Sequence, residues 1–308
     1  MKNFNNTKII GIDHGYGNMK TANCCFPTGV MKSDTEPVFV NDLLVWNGTY
    51  YSIGVGHKEF TADKFNDEDY YVLTLAAIAR ELRRENITSA DVHIAAGLPL
   101  TWVSEQKAKF KNYLLQNENV TFVFRNVEYS VRIVGADIFP QGFAAVAEKL
   151  NQFTGVSMLC DIGNGTMNLL RIVNKKPDAQ NMFTEKYGTY QCSLLIREQM
   201  MKRHHTALDE DSITEILKKG TADMDTEYLN TVTDTARQYT AGIFRRLRER
   251  EYDPKLMRLY VVGGGGCLIR NFADYDKTRV YIESDICATA KGYEYMALVS
   301  LGRNGGVK

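Results

Sequence analysis

Residues 13–20 read DHGYGNMK, and residues 161–168 read DIGNGTMN. Each stretch begins with an aspartate at the end of an apolar run and carries glycines at the second and fourth positions after it. Glycine adopts positive φ easily and lets backbone approach a ligand, and successive backbone N–H groups can form a concave anion site. Either stretch alone could be an ordinary hairpin, because aspartate–glycine turns are common. The repetition, about 150 residues apart, instead favours two loops that grip one polyphosphate.

The sequence around these two stretches alternates strand and helix patterns. Residues 8–13 and 158–162 are short apolar runs that predict buried strands, whereas residues 67–84 and 228–250 carry apolar positions at helical spacing. A further strand pattern at 259–262 runs into four consecutive glycines. Four glycines are costly to order, so we interpret them as backbone that lies flat against a large ligand.

Length, composition and charge limit the classes of protein that fit. The chain has 308 residues, 44% hydrophobic and 24% charged, which suggests two globular domains of about 150 residues each. Lys plus Arg and Asp plus Glu both number 37, so the zero net charge disfavours direct binding of nucleic acid.

No apolar run approaches the roughly 18 residues that span a bilayer. The polar N-terminus lacks the apolar segment of a signal peptide, so we expect a cytoplasmic protein without membrane contact. Six cysteines without a C-x-x-C pair predict neither a zinc site nor a disulfide framework.

Several sets of residues resemble motifs of the actin superfamily, and within it the plasmid-segregation actins of the ParM/StbA type. Residues 13–20 resemble the first phosphate loop of that family, residues 161–166 the second, and residues 261–265 the adenosine motif. Further similarities are G-L-P-L at 97–100, P-Q-G at 140–142 in the first connecting helix and A-x-A-x-G at 288–292 in the second. Each motif is weak alone, but together, in this order and over nearly the whole chain, they are a strong signal.

This resemblance implies an α/β protein with the actin-like, ribonuclease H-like two-domain fold and a nucleotide cleft between the domains. Domain I would comprise residues 1–153, with a C-terminal helix at about 286–308 packing back on it. Domain II would comprise residues 154–285. Each domain would then contribute one of the two phosphate loops.

The resemblance also implies a bound nucleotide, ATP or alternatively GTP, together with Mg²⁺. Asp13 would hold the Mg²⁺ ion through a bridging water, because hard cations prefer oxygen ligands and keep part of their hydration. Gln141 and Asp161 would orient the attacking water and, with Asp13, make up the catalytic set. Since a neutral glutamine is a poor base, catalysis would depend on positioning and electrostatics. The implied nucleotide-binding residues are Gly15, Tyr16, Gly17, Asn18, Lys20, Gly163, Asn164, Gly165, Thr166, Gly188, Gly263, Gly264 and Gly265.

Some residues depart from the family pattern or suggest other roles. Asn164 stands where glycine is common, and Asn168 stands where a second acid is common, so the missing charge predicts slower hydrolysis. We expect His14, inside the first loop, to face solvent. The histidine pair at 204–205 lacks the partner spacing of a metal site. The arginines that end the helix at 228–250 are expected to form a solvated face that suits the helix dipole.

The resemblance implies an ATPase that polymerises into filaments and moves plasmid DNA, with slow hydrolysis coupled to polymerisation. ATP would favour assembly, and hydrolysis would weaken subunit contacts. The partners would be further copies of the chain and a small DNA-binding adaptor protein, in agreement with the zero net charge. Two alternatives stay open. One is a sugar or acetate kinase of the same superfamily, although a chain of this length lacks room for large insertions. The other is an actin-fold module that binds ATP without polymerising.

Overall fold

The computed structural model describes residues 1–55 and 68–305. The chain forms two compact units, one made of Met1–Glu148 with Cys287–Lys308 and the other of Lys149–Ile286. Asp67, where the sequence predicts the start of the first helix, lies outside the described residues, and so do residues 306–308 at the end of the predicted last helix.

The strands and helices of the described residues are numbered here in chain order. The strands are β1 (Lys2–Phe4), β2 (Thr7–His14), β3 (Asn18–Lys20), β4 (Cys25–Pro27), β5 (Val30–Ser33), β6 (Leu43–Trp46), β7 (Thr49–Ile53), β8 (Ser89–Leu98), β9 (Asn119–Phe124), β10 (Val127–Pro140), β11 (Val156–Ile162), β12 (Met167–Val173), β13 (Lys176–Glu185), β14 (Arg258–Val262) and β15 (Val280–Ile282). The α-helices are α1 (Glu68–Arg84), α2 (Val103–Leu114), α3 (Phe143–Val146), α4 (Thr189–His204), α5 (Glu210–Lys219), α6 (Thr226–Glu249), α7 (Gly266–Phe272) and α8 (Ala288–Gly305). Short 3₁₀ helices lie at Leu100–Trp102, before α2, and at Ala147–Gln152, after α3.

Each unit is built around one mixed sheet. The first sheet has the strand order β4-β3-β2-β8-β10-β9-β6-β7-β5, with β1 paired to β2, and the second has the order β13-β12-β11-β14-β15. In both sheets the central strand has an antiparallel hairpin partner on one side and a parallel strand on the other: β3 and β8 flank β2, and β12 and β14 flank β11. This shared arrangement is the structural counterpart of the repeated sequence stretch.

Helix α1 lies at the centre of the first unit's core. Residues 70–79 of this helix are all fully buried, as expected of a helix that is apolar on every face. Its first turn carries Glu68 and Asp69 and its last turn Arg83 and Arg84, charges that favour the two ends of the helix dipole. Burial and the charges of its end turns therefore both favour this helix.

Helix α8 packs on the first unit's sheet, because glycines leave it the space. Tyr293 and Ala297 are fully buried in one cluster with residues of β2 and β8. A Cβ atom at Gly11 of β2 would lie 2.0 Å from the carbonyl oxygen of Ala290, and one at Gly97 of β8 would lie 2.0 Å from Oη of Tyr293. No side chain larger than hydrogen fits at either position while the helix stays in place. Among the described residues, no helix is both long and apolar enough to cross a membrane.

Glu294 belongs to α8, and its carboxyl group is buried where this helix faces β2, with 2% of the residue exposed. The backbone N–H of Gly11 donates to its Oε1 at 3.1 Å, and the α-amino group of Met1 lies 3.5 Å from the same oxygen. The same amino group lies 3.5 Å from Oε2 of Glu81. Burial outweighs the favourable contacts and raises the pKa of Glu294 to about 7. The folded protein therefore holds this proton up to neutral pH.

The stability of the protein should consequently fall as the pH rises. The pKa of Glu294 is about 7 in the folded state against a usual value of 4.5, so the folded state binds the extra proton in this window. The free energy of unfolding should fall by about 2 kcal/mol between pH 5 and pH 7 through this group. Glu294→Gln keeps an acceptor for Gly11 and should lose that part of the pH dependence. Urea unfolding of both proteins at several pH values measures it, and equal slopes would contradict the assignment.

Candidate functional site

Asp13, Lys20 and Gln141 lie together at one edge of the first sheet. Asp13 is buried at the end of β2. Nε2 of Gln141 donates to Oδ1 of Asp13 at 3.0 Å, and Nζ of Lys20 lies 3.5 Å from Oδ2. The carboxylate therefore has a neutral donor on one oxygen and a cation on the other.

Strand topology explains why residues so distant in sequence meet here. Strands β2, β8 and β10 run parallel, so their carboxyl ends share one edge of the sheet, where ligands of open α/β sheets bind. Gln141 directly follows β10, and its N–H donates to the carbonyl of Leu98 at the end of β8 at 2.8 Å. Gly142 then has φ 75°, a conformation that favours glycine, and leads into α3.

The first loop is shaped by backbone contacts around Gly15. The N–H of Gly15 donates to the carbonyl of Asp13 at 3.0 Å, and the hydroxyl of Thr28 donates to the carbonyl of Gly15 at 3.1 Å. A Cβ atom at Gly15 would lie 2.4 Å from the carbonyl oxygen of Asn18. Tyr16 is half-buried in this loop, and burial raises the pKa of its hydroxyl. The turn therefore requires glycine at position 15, and its N–H is already bonded inside the loop.

His14 is buried, and the expectation that it faces solvent is wrong. It is fully buried against α1 and α2. Its Nε2 lies 2.9 Å from Oγ1 of Thr74, and Thr74 donates its own proton to the carbonyl of Tyr70 at 2.7 Å. Nε2 is therefore the donor in the His14–Thr74 bond. The ring also packs edge-on against Phe110. Successive residues of a strand point to opposite faces, so His14 anchors β2 to the core while Asp13 points the other way.

In the second unit, Asp161 occupies the position equivalent to Asp13. It is buried at the end of β11, and Nδ2 of Asn168 lies 3.4 Å from its Oδ2. Asn168 in turn accepts a hydrogen bond from the hydroxyl of Thr184 at 2.8 Å. The amide of Asn168 thus orients Asp161, whereas a second carboxylate at this position would repel it.

The loop after Asp161 is held by the first residues of α4. The N–H groups of Thr189 and Tyr190 donate to the carbonyls of Gly163 and Asn164 at 3.0 and 2.9 Å. The hydroxyl of Thr189 also donates to the side chain of Asn164 at 3.0 Å. A Cβ atom at Gly188 would lie 2.2 Å from the carbonyl oxygen of Asn164. Gly188 and Asn164 therefore fit each other closely, and Gly163 closes the turn by donating to the carbonyl of Thr166.

The three glycines predicted to contact adenosine differ in their surroundings. Gly263 has φ 85°, and its Cβ position is 2.5 Å from Oδ1 of Asp161. Gly265 donates to the carbonyl of Ile162 at 2.8 Å, and a Cβ atom there would overlap the Ile162 side chain. A Cβ atom at Gly264 would meet no described atom within 4 Å. Two of the glycines thus pack on the end of β11, and Gly264 presents its backbone outward.

A stack of three side chains, which the sequence analysis did not predict, supports the backbone at Gly188. Arg246 lies 3.7 Å over the ring of Tyr187, which stacks on Tyr239 at 4.3 Å. The hydroxyl of Tyr239 donates to the carbonyl of Gly188 at 2.6 Å. Arg246 also forms an ion pair with Glu185. The expectation of a fully solvated arginine face is therefore wrong for Arg246, because its guanidinium packs on an aromatic ring.

The carboxylate of Asp13 is suited to a metal ion that is bound together with a phosphate ligand. Within residues 1–55 and 68–305, no group of three or more His, Cys, Asp or Glu side chains is arranged to hold a metal ion. His204 bonds to Thr231 at 2.8 Å and packs on Tyr228. Mg²⁺ takes one or two protein carboxylates and completes its shell with water and substrate phosphates. The single buried carboxylate of Asp13 fits that pattern.

Comparison with known proteins finds matches in sequence for part of the chain and in fold for nearly all of it. Residues 11–143 match the family described as the N-terminal domain of actin-like proteins, whereas no curated protein sequence matches the chain. The structure of Ta0583, an archaeal actin homolog, has a TM-score of 0.73 and 21% identity and covers 94% of this chain and 99% of its own. The Alp12 filament structure has a TM-score of 0.66 and 15% identity, covering 96% and 99%. Bacillus thuringiensis ParM with ATP has a TM-score of 0.68 and 12% identity, also covering 96% and 99%.

These likenesses confirm the α/β, two-domain actin-like fold that the motifs predict. Structures that are 12–21% identical to this chain show the fold, and the match over residues 11–143 adds a likeness in sequence. The chain has the actin-like fold, and its residues 11–143 match the N-terminal domain of actin-like proteins.

Proposed function

We propose that this protein binds Mg-ATP, hydrolyses it slowly and polymerises into filaments that segregate plasmid DNA. The observation that carries the proposal is the repeated arrangement of Asp13 and Asp161. Each is a buried carboxylate at the end of a central strand, and each precedes a glycine turn. The similar structures support the proposal, because one of them holds ATP and another is a filament.

In the first unit, Lys20 and the backbone of Tyr16, Gly17 and Asn18 would contact the β- and γ-phosphates. Hydrogen bonds to charged groups contribute about 1.5–3 kcal/mol each, so a few of them suffice for firm binding. Asp13 would hold Mg²⁺ through water, and the ion would neutralise charge on the phosphates. The contacts of Asp13 with Lys20 and Gln141 orient the carboxylate for that task.

Gln141 and Asp161 would orient the attacking water. Nε2 of Gln141 donates to Asp13, which leaves its Oε1 to accept a hydrogen bond from water. Asp161 would accept a second one, with Asn168 holding its other oxygen. Catalysis by positioning and electrostatics is characteristic of phosphoryl transfer, and it agrees with a slow ATPase.

The second loop and the glycine run would bind the rest of the nucleotide. Asn164, Gly165 and Thr166 would face the phosphates. Gly264 would contact adenosine, with Gly263 and Gly265 holding the run on β11, and Gly188 would approach the ribose. GTP would fit the same phosphate contacts, so the base preference depends on other residues.

Nucleotide-dependent assembly is the direct test of this function. The purified protein with Mg-ATP should give a rise in light scattering and filaments in electron micrographs, and the scattering should decay as ATP is consumed. Parallel samples contain GTP, ADP or a non-hydrolysable analogue. Absence of both scattering and filaments with every triphosphate would overturn the proposal. A small DNA-binding adaptor would then be sought by its effect on filament stability.

Two other outcomes would point to the alternative functions. ATP consumption that rises on addition of sugars or carboxylates would indicate a kinase. Protein that binds ATP but sediments as a monomer at high concentration would indicate a non-polymerising module. Both measurements use the same protein preparation and so share its controls.

A further inference from the structure

The loop between β5 and β6 exposes large apolar side chains. We call residues 34–42 the tip loop. Phe39 is 99% exposed, the highest value among the exposed large apolar side chains of the described residues, and Val38 is 74% exposed. Phe39 also has φ 65°, a conformation that bulky residues rarely adopt. A monomer gains nothing from holding a phenylalanine in solvent on a left-handed backbone, so this arrangement suits a contact with another molecule.

The base of the tip loop is held firmly. Asp42 forms ion pairs with Arg80, at 2.8 Å, and with Arg125. The guanidinium of Arg80 lies 4.3 Å over the ring of Phe26. A cavity of about 310 Å³ lies between the tip loop and the turn at Arg125. The loop is therefore anchored at its base but does not pack down on the unit, which leaves room for a side chain of a partner.

Helix α4 carries a second exposed apolar surface. Leu194, Leu195 and Met201 are 43%, 41% and 49% exposed, and we call these three residues the α4 patch. Leu194 and Met201 are seven residues apart and so lie on one face of the helix. The opposite face, with Ile196 and Met200, is buried in the second unit's core. The helix is thus apolar on both sides, although only one side is covered.

The two surfaces have complementary charge. The tip loop contains no lysine or arginine, and besides Asp42, which is already paired at its base, it carries Asp34 and Glu36. The α4 patch is flanked by Arg197 on one side and Lys202 on the other, and Glu198, the one acid of residues 194–203, lies on the same face as Leu194. An acidic apolar loop and a basic apolar helix face are suited to each other. Both belong to the same chain, so a second copy supplies the matching surface.

We propose that the tip loop of one copy docks on the α4 patch of the next copy. This inference rests on the proposed polymerisation and names the surfaces that would carry it. The two surfaces are different, so the contact is heterologous, and a heterologous contact that does not close into a ring produces an open filament. Phe39 and Val38 would pack against Leu194 and Met201, and Asp34 and Glu36 would face the basic border.

The test uses one variant on each surface. Phe39→Asp disables the tip loop, and Leu194→Asp disables the α4 patch; both positions are exposed, so the fold should be retained, as circular dichroism and thermal unfolding can verify. Each variant alone should show a critical concentration for ATP-dependent assembly raised at least about tenfold. Leu256→Asp changes an apolar residue that is 77% exposed elsewhere in the second unit and should assemble like the wild type.

Mixing the two variants distinguishes a heterologous contact from any other. The Phe39→Asp copy keeps an intact α4 patch, and the Leu194→Asp copy keeps an intact tip loop. An equimolar mixture with ATP should form a one-to-one dimer in sedimentation equilibrium and no polymer. Normal assembly of Phe39→Asp or Leu194→Asp, or a mixture that stays monomeric, would overturn this contact and leave the proposed function standing. A wild type that never assembles would overturn both, and loss of assembly in Leu256→Asp would show that the effect is not specific to these surfaces.

Discussion

Gly292→Ala should lower the free energy of unfolding by more than about 3 kcal/mol, at the upper end of what overpacking produces. Gly292 lies on the face of α8 that contacts α3. A Cβ atom at this position would lie 1.9 Å from the carbonyl oxygen of Ala144 and 2.3 Å from its carbonyl carbon. The obstacle is backbone, which cannot rotate away as a flexible side chain can. One methyl group would therefore force α8 and α3 apart.

Gly302→Ala is the matched control, because it makes the same substitution in the same helix. Gly302 is exposed, and a Cβ atom there would meet nothing within 4 Å. Alanine should then stabilise the helix by about 0.5–1 kcal/mol through its better helix propensity. Urea unfolding of the three proteins measures both changes. Equal effects of the two substitutions would show that α8 does not pack on the first unit as described.

Asp161→Asn should lower ATP turnover about 100-fold or more, the range found when a group that directs proton transfer is lost. Asparagine has the shape of aspartate and can still bond to Asn168, so the loop and the fold should be retained. The negative charge that would orient and polarise the attacking water is lost. With the proposed function, filaments should still form with ATP but should disassemble much more slowly, because hydrolysis would no longer weaken the contacts between subunits.

The control for this prediction is Asp234→Asn, which removes a carboxylate from the surface of α6 in the same unit. Asp234 pairs with an exposed arginine three residues along the helix, and such pairs contribute little. Phosphate release and nucleotide binding are measured for both variants. Turnover in Asp161→Asn within threefold of the wild type would remove Asp161 from the catalytic set, and loss of nucleotide binding would assign it to binding instead.

Secondary structure close to the repeated stretches is predicted well from the sequence. The strand expected at 8–13 is part of β2, Thr7–His14, and the strand expected at 158–162 is part of β11, Val156–Ile162. The long helix expected at 228–250 is α6, Thr226–Glu249. These elements are defined by apolar spacing and by turn residues within a short window, so no distant contact is needed to predict them.

The contacts made by polar side chains are less predictable. A histidine inside a glycine loop suggests solvent, but His14 is fully buried beside Thr74. Tyr239 reads as one member of an apolar stripe, yet its hydroxyl holds the carbonyl of Gly188. One local feature of the sequence points to this stack: Tyr239 and Arg246 are seven residues apart and therefore lie on one helix face. Their partners come from a segment more than fifty residues earlier.

Sequence pattern is sufficient for the α/β class, the repeat of a glycine turn after a buried aspartate and the glycines that such turns require, because these depend on local backbone conformation and apolar periodicity. Packing between distant segments decides the rest. It brings Gln141 to Asp13, buries Glu294 between α8 and β2 and leaves Phe39 exposed. Those outcomes depend on which strand ends share a sheet edge and which surfaces are covered, and neither is encoded within any short stretch of residues.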